Sequence, residues 1–253
     1  MAWREWDQGY RQASARRRAL RLAALPGVVV LVVGFLATWA AVGPAPAAGV
    51  ALVGGAAAGV GAWVGAPGVI RHLVGARATT PGDHPRLHNL TEGLCVATGL
   101  VKPRILVVPH DSANSMVVGT SSRRAALVAT TGLVDRLTPI ELEAVIAHEL
   151  SHLKSGDAVP ATVAVTALGP VAMVAGGTKL LARATGGDRE PLADLAAVSL
   201  TRYPPGLAAA LAKVVAAPLG PATTGLRARL TAHLWLCSSR EELGERTEVL
   251  QEL

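Results

Sequence analysis

Two uncharged apolar stretches dominate the first third of the chain. Leu25 to Gly43 and Ala47 to Ile70 each hold about the 20 residues that a helix needs to cross a hydrocarbon core, and neither contains an Asp, Glu, Lys or Arg. Only a few residues separate them, Pro44 and Pro46 among them, which predicts a helical hairpin with a very short turn around the two prolines. Past Arg77 the pattern becomes that of a mixed, folded unit. In "HPRLHNLTEGLCVATGL" the residues Leu87, Leu90, Leu94 and Val96 fall near helical spacing and Gly99 supplies a stop, so a helix is expected. "RILVVP" and "RAALVAT" read as buried strands on either side of a turn-rich stretch, "HDSANSMVVGTSS". "TPIELEAVIAHELSHLKSG" then predicts a helix with clear ends: Thr138 and Glu141 form a capping box, Pro139 sits in the first turn, and Gly156 ends it.

The expected class is therefore mainly α with a small β-sheet (α+β). It has two parts, an N-terminal arm with the two-helix hairpin over residues 1–76 and a second unit over residues 77–253. Composition supports the membrane reading, with 51% hydrophobic and only 17% charged residues in 253. The arginines orient the hairpin. Arg4, Arg11, Arg16, Arg17, Arg18 and Arg21 precede the first span, Arg71 and Arg77 follow the second, and the turn carries no charge. By the positive-inside rule both ends face the cytoplasm of a bacterial-type inner (cell) membrane, crossed more than once. The rival reading is a secretory signal cleaved near "APAA". A second span follows at once, however, and the leader is long and rich in arginine, both of which argue against cleavage.

The net charge of +6 does not point to nucleic acid. Much of the excess is the arginine cluster beside the membrane, where it suits anionic headgroups of the lipid bilayer, and 3% aromatic residues are too few for a base-stacking platform. Cys95 and Cys237 are far apart and form no C-x-x-C pair, as expected for free thiols in a reducing compartment.

"AHELSHLKSGD", Ala147 to Asp157, holds the candidate chemistry. His148 and His152 are four residues apart, so on a helix both imidazoles reach toward one point, and Glu149 beside them can take a proton from a water held there. They fall beside the apolar stripe of Leu142, Val145, Ile146, Ala147, Leu150 and Leu153, where a half-buried helix turns them to a cleft. A metalloprotease zinc takes three protein ligands and an open position for water. Asp188, Glu190 and Asp194 are the only carboxylates between Asp157 and Glu241. Glu190, which starts an E-x-x-A-D pattern, is the candidate.

With these residues in view the chain resembles the HtpX and CAAX prenyl protease family of integral-membrane zinc metalloproteases, whose glutamate-zincin core carries H-E-x-x-H followed by E-x-x-A-D. The resemblance runs through "KPRILVVP", "NSMVVGT" (where the family usually has Asn-Ala), "TTGLVDRLTPIELEAVIAHELSHLKSGD" and the tail "ERTEVLQEL". It implies a zincin-like metalloprotease domain facing the cytoplasm, with one zinc per chain on His148, His152 and Glu190. Glu149 is then the general base in peptide hydrolysis. Asp157 and Asp194 orient the imidazole N–H groups, unless they are only a helix cap and a solvated face. Asn114 is expected to hold the substrate main chain as an added edge strand. The family tail usually reads His-Pro-Pro-x-x-x-Arg. Here "SSREELGERTEVL" puts Arg240 in the place of that His, so Arg240, His233 and Tyr203 are the candidates for stabilising the intermediate.

Two spans and a small domain resemble the HtpX type, which implies cleavage of protein or peptide substrates in membrane protein quality control. A regulatory membrane protease that cleaves a repressor, and a non-catalytic membrane scaffold, remain as alternatives. Ala158 to Ala182 is apolar enough for a third span. A single crossing there would put His152 and Glu190 on opposite sides of a core about 30 Å thick, so a helix packed at the surface or a shallow dip is expected, with Gly169-Pro170 and Gly176-Gly177 as bends.

Overall fold

The computed structural model describes residues 2–174, 178–186, 189–218, 225–237 and 240–252. Among these the order begins with α1 (Ala2–Val42), α2 (Pro44–Val74), β1 (Arg77–Ala78), α3 (Pro85–Thr98), β2 (Arg104–Val108), β3 (Ser115–Ser121) and β4 (Arg124–Thr130). It continues with α4 (Thr131–Arg136), α5 (Pro139–Ser155), α6 (Ala158–Val174), α7 (Thr178–Thr185), α8 (Arg189–Thr201) and α9 (Pro204–Ala216), then α10 (Gly225–Thr231), a 3₁₀ turn (Ala232–Leu234) and α11 (Arg240–Gln251).

α1 and α2 form the expected hairpin, and both are long and apolar enough to cross a membrane. Their most apolar windows are only 17% buried in the protein, the exposure that lipid-facing surface needs. The turn is shorter than the prolines imply: Gly43 alone, at φ 82°, separates the helices. Pro44 and Pro46 fall inside the first turn of α2, where a missing N–H costs nothing. The backbones meet at Gly27 and Gly55, where a methyl group on either would come within 2.7 Å of the other's carbonyl oxygen; small residues permit such a close crossing. α1 also absorbs the N-terminal arm, running through Pro26 as one helix about 60 Å long at 1.5 Å per residue. That exceeds the hydrocarbon thickness about twofold, and the surplus lies along the second unit, where Gln12 Nε2 donates to the carbonyl of Lys154 at 2.7 Å.

The sheet has the order β1-β2-β4-β3, with β2 parallel to β4 and the other neighbours antiparallel. Both faces are covered. Ile105, Val107, Val117, Leu127 and Ala129 pack into the core that contains the apolar side of α5, while Leu106, Val108, Met116, Val118 and Val128 meet Ile70 of α2 and Ala161 and Val165 of α6. Burial on two faces is why the strands read as continuous apolar runs. β3 is a correction: its residues lie in the stretch read as turns. The Ser, Asn and Gly around Met116 to Val118 carry a turn signal in the sequence, but pairing with β4 decides their conformation.

α5 has the ends that its sequence predicts. Thr138 accepts from the Glu141 amide, the Glu141 side chain accepts from the Thr138 amide, and Gly156 closes the helix at φ 81°. α6 follows after a 77° bend. At 17 residues it is about 25 Å long, and it buries Ala161, Val163, Ala164 and Val165 against the sheet and the hairpin. Gly176 and Gly177 lie outside the described residues. Chain reversal through α6 and α7 lets α8 return against α5, which is what brings the carboxylates of α8 to the histidines.

Candidate metal centre

Each of the two facing helices presents two side chains one turn apart: His148 and His152 from α5, Glu190 and Asp194 from α8. The imidazoles are buried, and their Nδ1 atoms lie 2.8 Å from carboxylates, His152 on Asp157 and His148 on Asp194. This turns both Nε2 atoms inward, 3.2 Å apart. Glu190 faces the pair, with Oε2 3.3 Å from His148 Nε2 and Oε1 3.5 Å from His152 Nε2.

The three groups fit a metal ion. Their ligand atoms lie within 4.8 Å of one another, and atoms about 2.1 Å from a tetrahedral zinc are roughly 3.4 Å apart. Among the described residues Glu190 Oε2 is buried and makes no well-aligned hydrogen bond, although His148 Nε2 and Arg246 Nη1 each lie 3.3 Å away, so a lone pair remains for a metal ion. Two nitrogens and one oxygen also match the donor preference of zinc.

Electrostatics is strongly coupled. Burial opposes a charged imidazole at His148, but the carboxylates of Asp194 and Glu190 outweigh it and push the pKa up to about 9. Burial would raise Glu190, yet His152, the His148 bond and Arg189 hold it well below the ordinary carboxylate range. Asp157 and Asp194 are likewise lowered against their burial, chiefly by His152 and by His148 with Arg246. Glu149 goes the other way. Burial pushes its pKa up, with His148, His152 and Ser115 tempering the rise, and a buried carboxylate of raised proton affinity is suited to general-base work.

Three partners were not legible as site residues. Arg246 of α11 forms a fork on Asp194, both contacts 2.7 Å, donates to the Leu236 carbonyl at 3.1 Å and lies 3.3 Å from Glu190 Oε2. The signal available was the terminal Arg of the His-Pro-Pro-x-x-x-Arg tail, six residues after Arg240. Ser115 Oγ donates to Glu149 Oε1 at 2.6 Å; it stands where the family usually has Ala. Arg189 lies 3.3 Å from Glu190 Oε1, and nothing in the sequence marks it.

The remaining expected residues are placed differently. The Asn114 side chain is paired with the backbone of Cys237, Nδ2 donating to its carbonyl at 3.1 Å and Oδ1 accepting from its amide at 3.0 Å, and the Leu236 amide donates to Ser115 O at 2.8 Å. The chain's own segment thus lies along the start of β3. His233 donates from Nε2 to the Ala161 carbonyl at 3.0 Å, and burial pushes its pKa down to about 4, leaving a neutral, committed ring. Tyr203 precedes α9, half exposed, its ring against Gly206. Gly206 also abuts Ile140 in the first turn of α5, about 12 Å along that helix from His148, so Tyr203 is not brought to the cluster. The side chain of Arg240, and Asp188, lie outside the described residues.

Two packed helices that converge two imidazoles and a carboxylate, with a buried glutamate beside them, define a metal site of the H-E-x-x-H type behind a membrane hairpin. The family model described as Peptidase family M48 matches residues 81–238. The chain belongs to that family. It is similar to a "Protease HtpX homolog" of Dictyoglomus turgidum, 33% identical over 179 residues that make up 58% of this chain and 59% of that protein. A "Protease HtpX homolog" of Tropheryma whipplei is 32% identical over 199 residues, 65% of this chain and 67% of the other. Over a shorter stretch of 91 residues, one from Moorella thermoacetica reaches 43%, covering 36% of this chain and 30% of that protein. The chain spans about 59% of the length of the first of these relatives. No solved structure matches.

Proposed function

We propose that this protein is a membrane-anchored zinc endopeptidase that cleaves protein or peptide substrates, with a role in membrane protein quality control. The observation that carries the reading is the convergence of His148 Nε2, His152 Nε2 and a Glu190 carboxylate oxygen with Glu149 buried next to them. His148, His152 and Glu190 hold one zinc per chain. Bound there, zinc supplies Lewis acidity, which polarises a peptide carbonyl and lowers the pKa of water toward neutrality. Glu149 takes the proton of the attacking water on its carboxylate and passes it to the leaving amine. Ser115 donates to Glu149 Oε1, a buried contact that orients the carboxylate. Asp157 accepts from His152 Nδ1 and the Asp194 carboxylate lies 2.8 Å from His148 Nδ1, which keeps both Nε2 atoms turned toward the metal.

Purified in detergent, the protein is expected to carry one zinc per chain and to cleave casein or itself. Glu190→Ala should lose most of that zinc, whereas Asp194→Ala should weaken binding by only about ten- to a hundredfold. A zinc-free, inactive wild type would sink the reading; zinc without cleavage would favour the scaffold alternative.

Both ends of α6–α7 belong on one side of the membrane, because His152 and Glu190 meet at one site, and the arginine distribution makes that side the cytoplasm of a multi-pass inner-membrane protein. Single cysteines at Ser155 and Gly187 should both resist a membrane-impermeant thiol reagent in intact cells. Labelling of either one defeats this orientation.

A further inference from the structure

Away from the metal centre, a cavity of about 490 Å³ opens between the last turns of α2 and the ends of β2, β3 and β4. Its walls carry Arg71 from α2, Lys102 and Arg104 at the start of β2, and Arg123 and Arg124 from the β3–β4 turn, and no carboxylate lines it. Lys102 is paired with Glu92 at 2.8 Å. Among the described residues the other four cations, all arginines, form no ion pair. Like charges gathered around one hollow repel, and an anion placed among them relieves that repulsion.

The cavity has a second, apolar side. Trp63, Val64 and Pro67 of α2 and Leu106 and Val118 of the sheet complete its lining. Val64 is 64% exposed, on the surface that continues down the uncharged part of α2. Between Arg21 and Arg71 the chain has no charged residue, and Gly59 of α2 lies against Ala23 of α1, which sets Arg21 close to the level of Trp63, so α2 leaves the hydrocarbon there and Arg71 stands beyond it. Trp63, two turns earlier, stands where interfacial tryptophans anchor a span. The hollow therefore sits at headgroup level, cations outward and apolar surface toward the bilayer.

We propose that this cavity binds one anionic glycerophospholipid, its phosphodiester among Arg71, Arg104, Arg123 and Arg124 and its first acyl methylenes along Trp63, Val64 and Pro67. A soluble phosphate would satisfy the arginines but leave the apolar side wet. A zwitterionic lipid would bring its own cation into the cluster. The volume is within the range of about 300–1,000 Å³ typical of small-ligand sites. The proposal rests on α2 as a membrane span and not on the peptidase reading, so the two stand or fall separately.

The test uses the full chain in a non-ionic detergent and native mass spectrometry. Phosphatidylglycerol and phosphatidylcholine with identical acyl chains are the probes. One phosphatidylglycerol should be retained per chain, about tenfold in preference to phosphatidylcholine. Arg104→Glu with Arg124→Glu should abolish the preference, while Arg16→Glu with Arg17→Glu in the N-terminal arm should leave it. Equal retention of the two lipids, equal loss in both double variants, or displacement by excess inorganic phosphate would each overturn the proposal. Should the first double variant fail to fold, the wild type decides. A phosphatidylglycerol with a photoreactive headgroup must label residues 63–71 or 118–126, and labelling confined to other segments refutes the site.

Discussion

Glu149→Gln is expected to keep one zinc per chain and to lower peptide cleavage by about 10²- to 10⁴-fold, the usual contribution of a positioned general base. The amide matches the carboxylate in size and can still accept from Ser115, so packing around α5 is unchanged. What it lacks is affinity for a proton. Wild-type Glu149 is buried, and burial raises its pKa, the condition under which a carboxylate takes a proton in one step and gives it up in the next. The two imidazoles and Glu190 are untouched by the substitution, which is why zinc content and activity should separate. Casein hydrolysis in detergent, with zinc measured by elemental analysis on the same sample, makes the comparison. An active variant would remove Glu149 from the mechanism.

Arg246→Ala should cost stability and metal together. The guanidinium is 6% exposed and faces two carboxylates, forked on Asp194 and within 3.3 Å of Glu190. Removing one partner of a buried ionic group leaves uncompensated charge and typically costs about 3–5 kcal/mol. Asp194 also receives His148 Nδ1, so its reorientation should weaken zinc binding by about ten- to a hundredfold. Arg246→Lys restores the charge but not the planar fork, and should recover only part of either property. Thermal unfolding in detergent and zinc titration would measure both, and an unchanged midpoint and affinity would contradict the role drawn from the geometry.

What the sequence by itself determined about this protein is whatever is written within a few turns of chain. The hairpin follows from hydropathy, although the structure moves its turn to Gly43, because proline tolerates the first turn of a helix as readily as a loop. α5 could be read to its end residues, since Thr138, Glu141 and Gly156 act on backbone groups within one turn of themselves. His148, Glu149 and His152 were legible from spacing alone, and Glu190 from the E-x-x-A-D pattern it starts among the few carboxylates after Asp157. Tertiary structure decided the rest. β3 is a strand because β4 pairs with it, against a local turn signal. The N-terminal arm joins α1, which continues through Pro26, and it is held by Lys154, more than a hundred residues away in sequence. The pairing of Asn114 with Cys237 spans 123 residues, and that of Asp194 with Arg246 spans 52. Such contacts leave no local periodicity, because they exist only after the chain has folded back through α6 and α7. For this reason the candidate ligands can be listed from the sequence, while the contacts of Arg246 with Asp194 and Glu190 and of Ser115 with Glu149 became visible only in the packed protein.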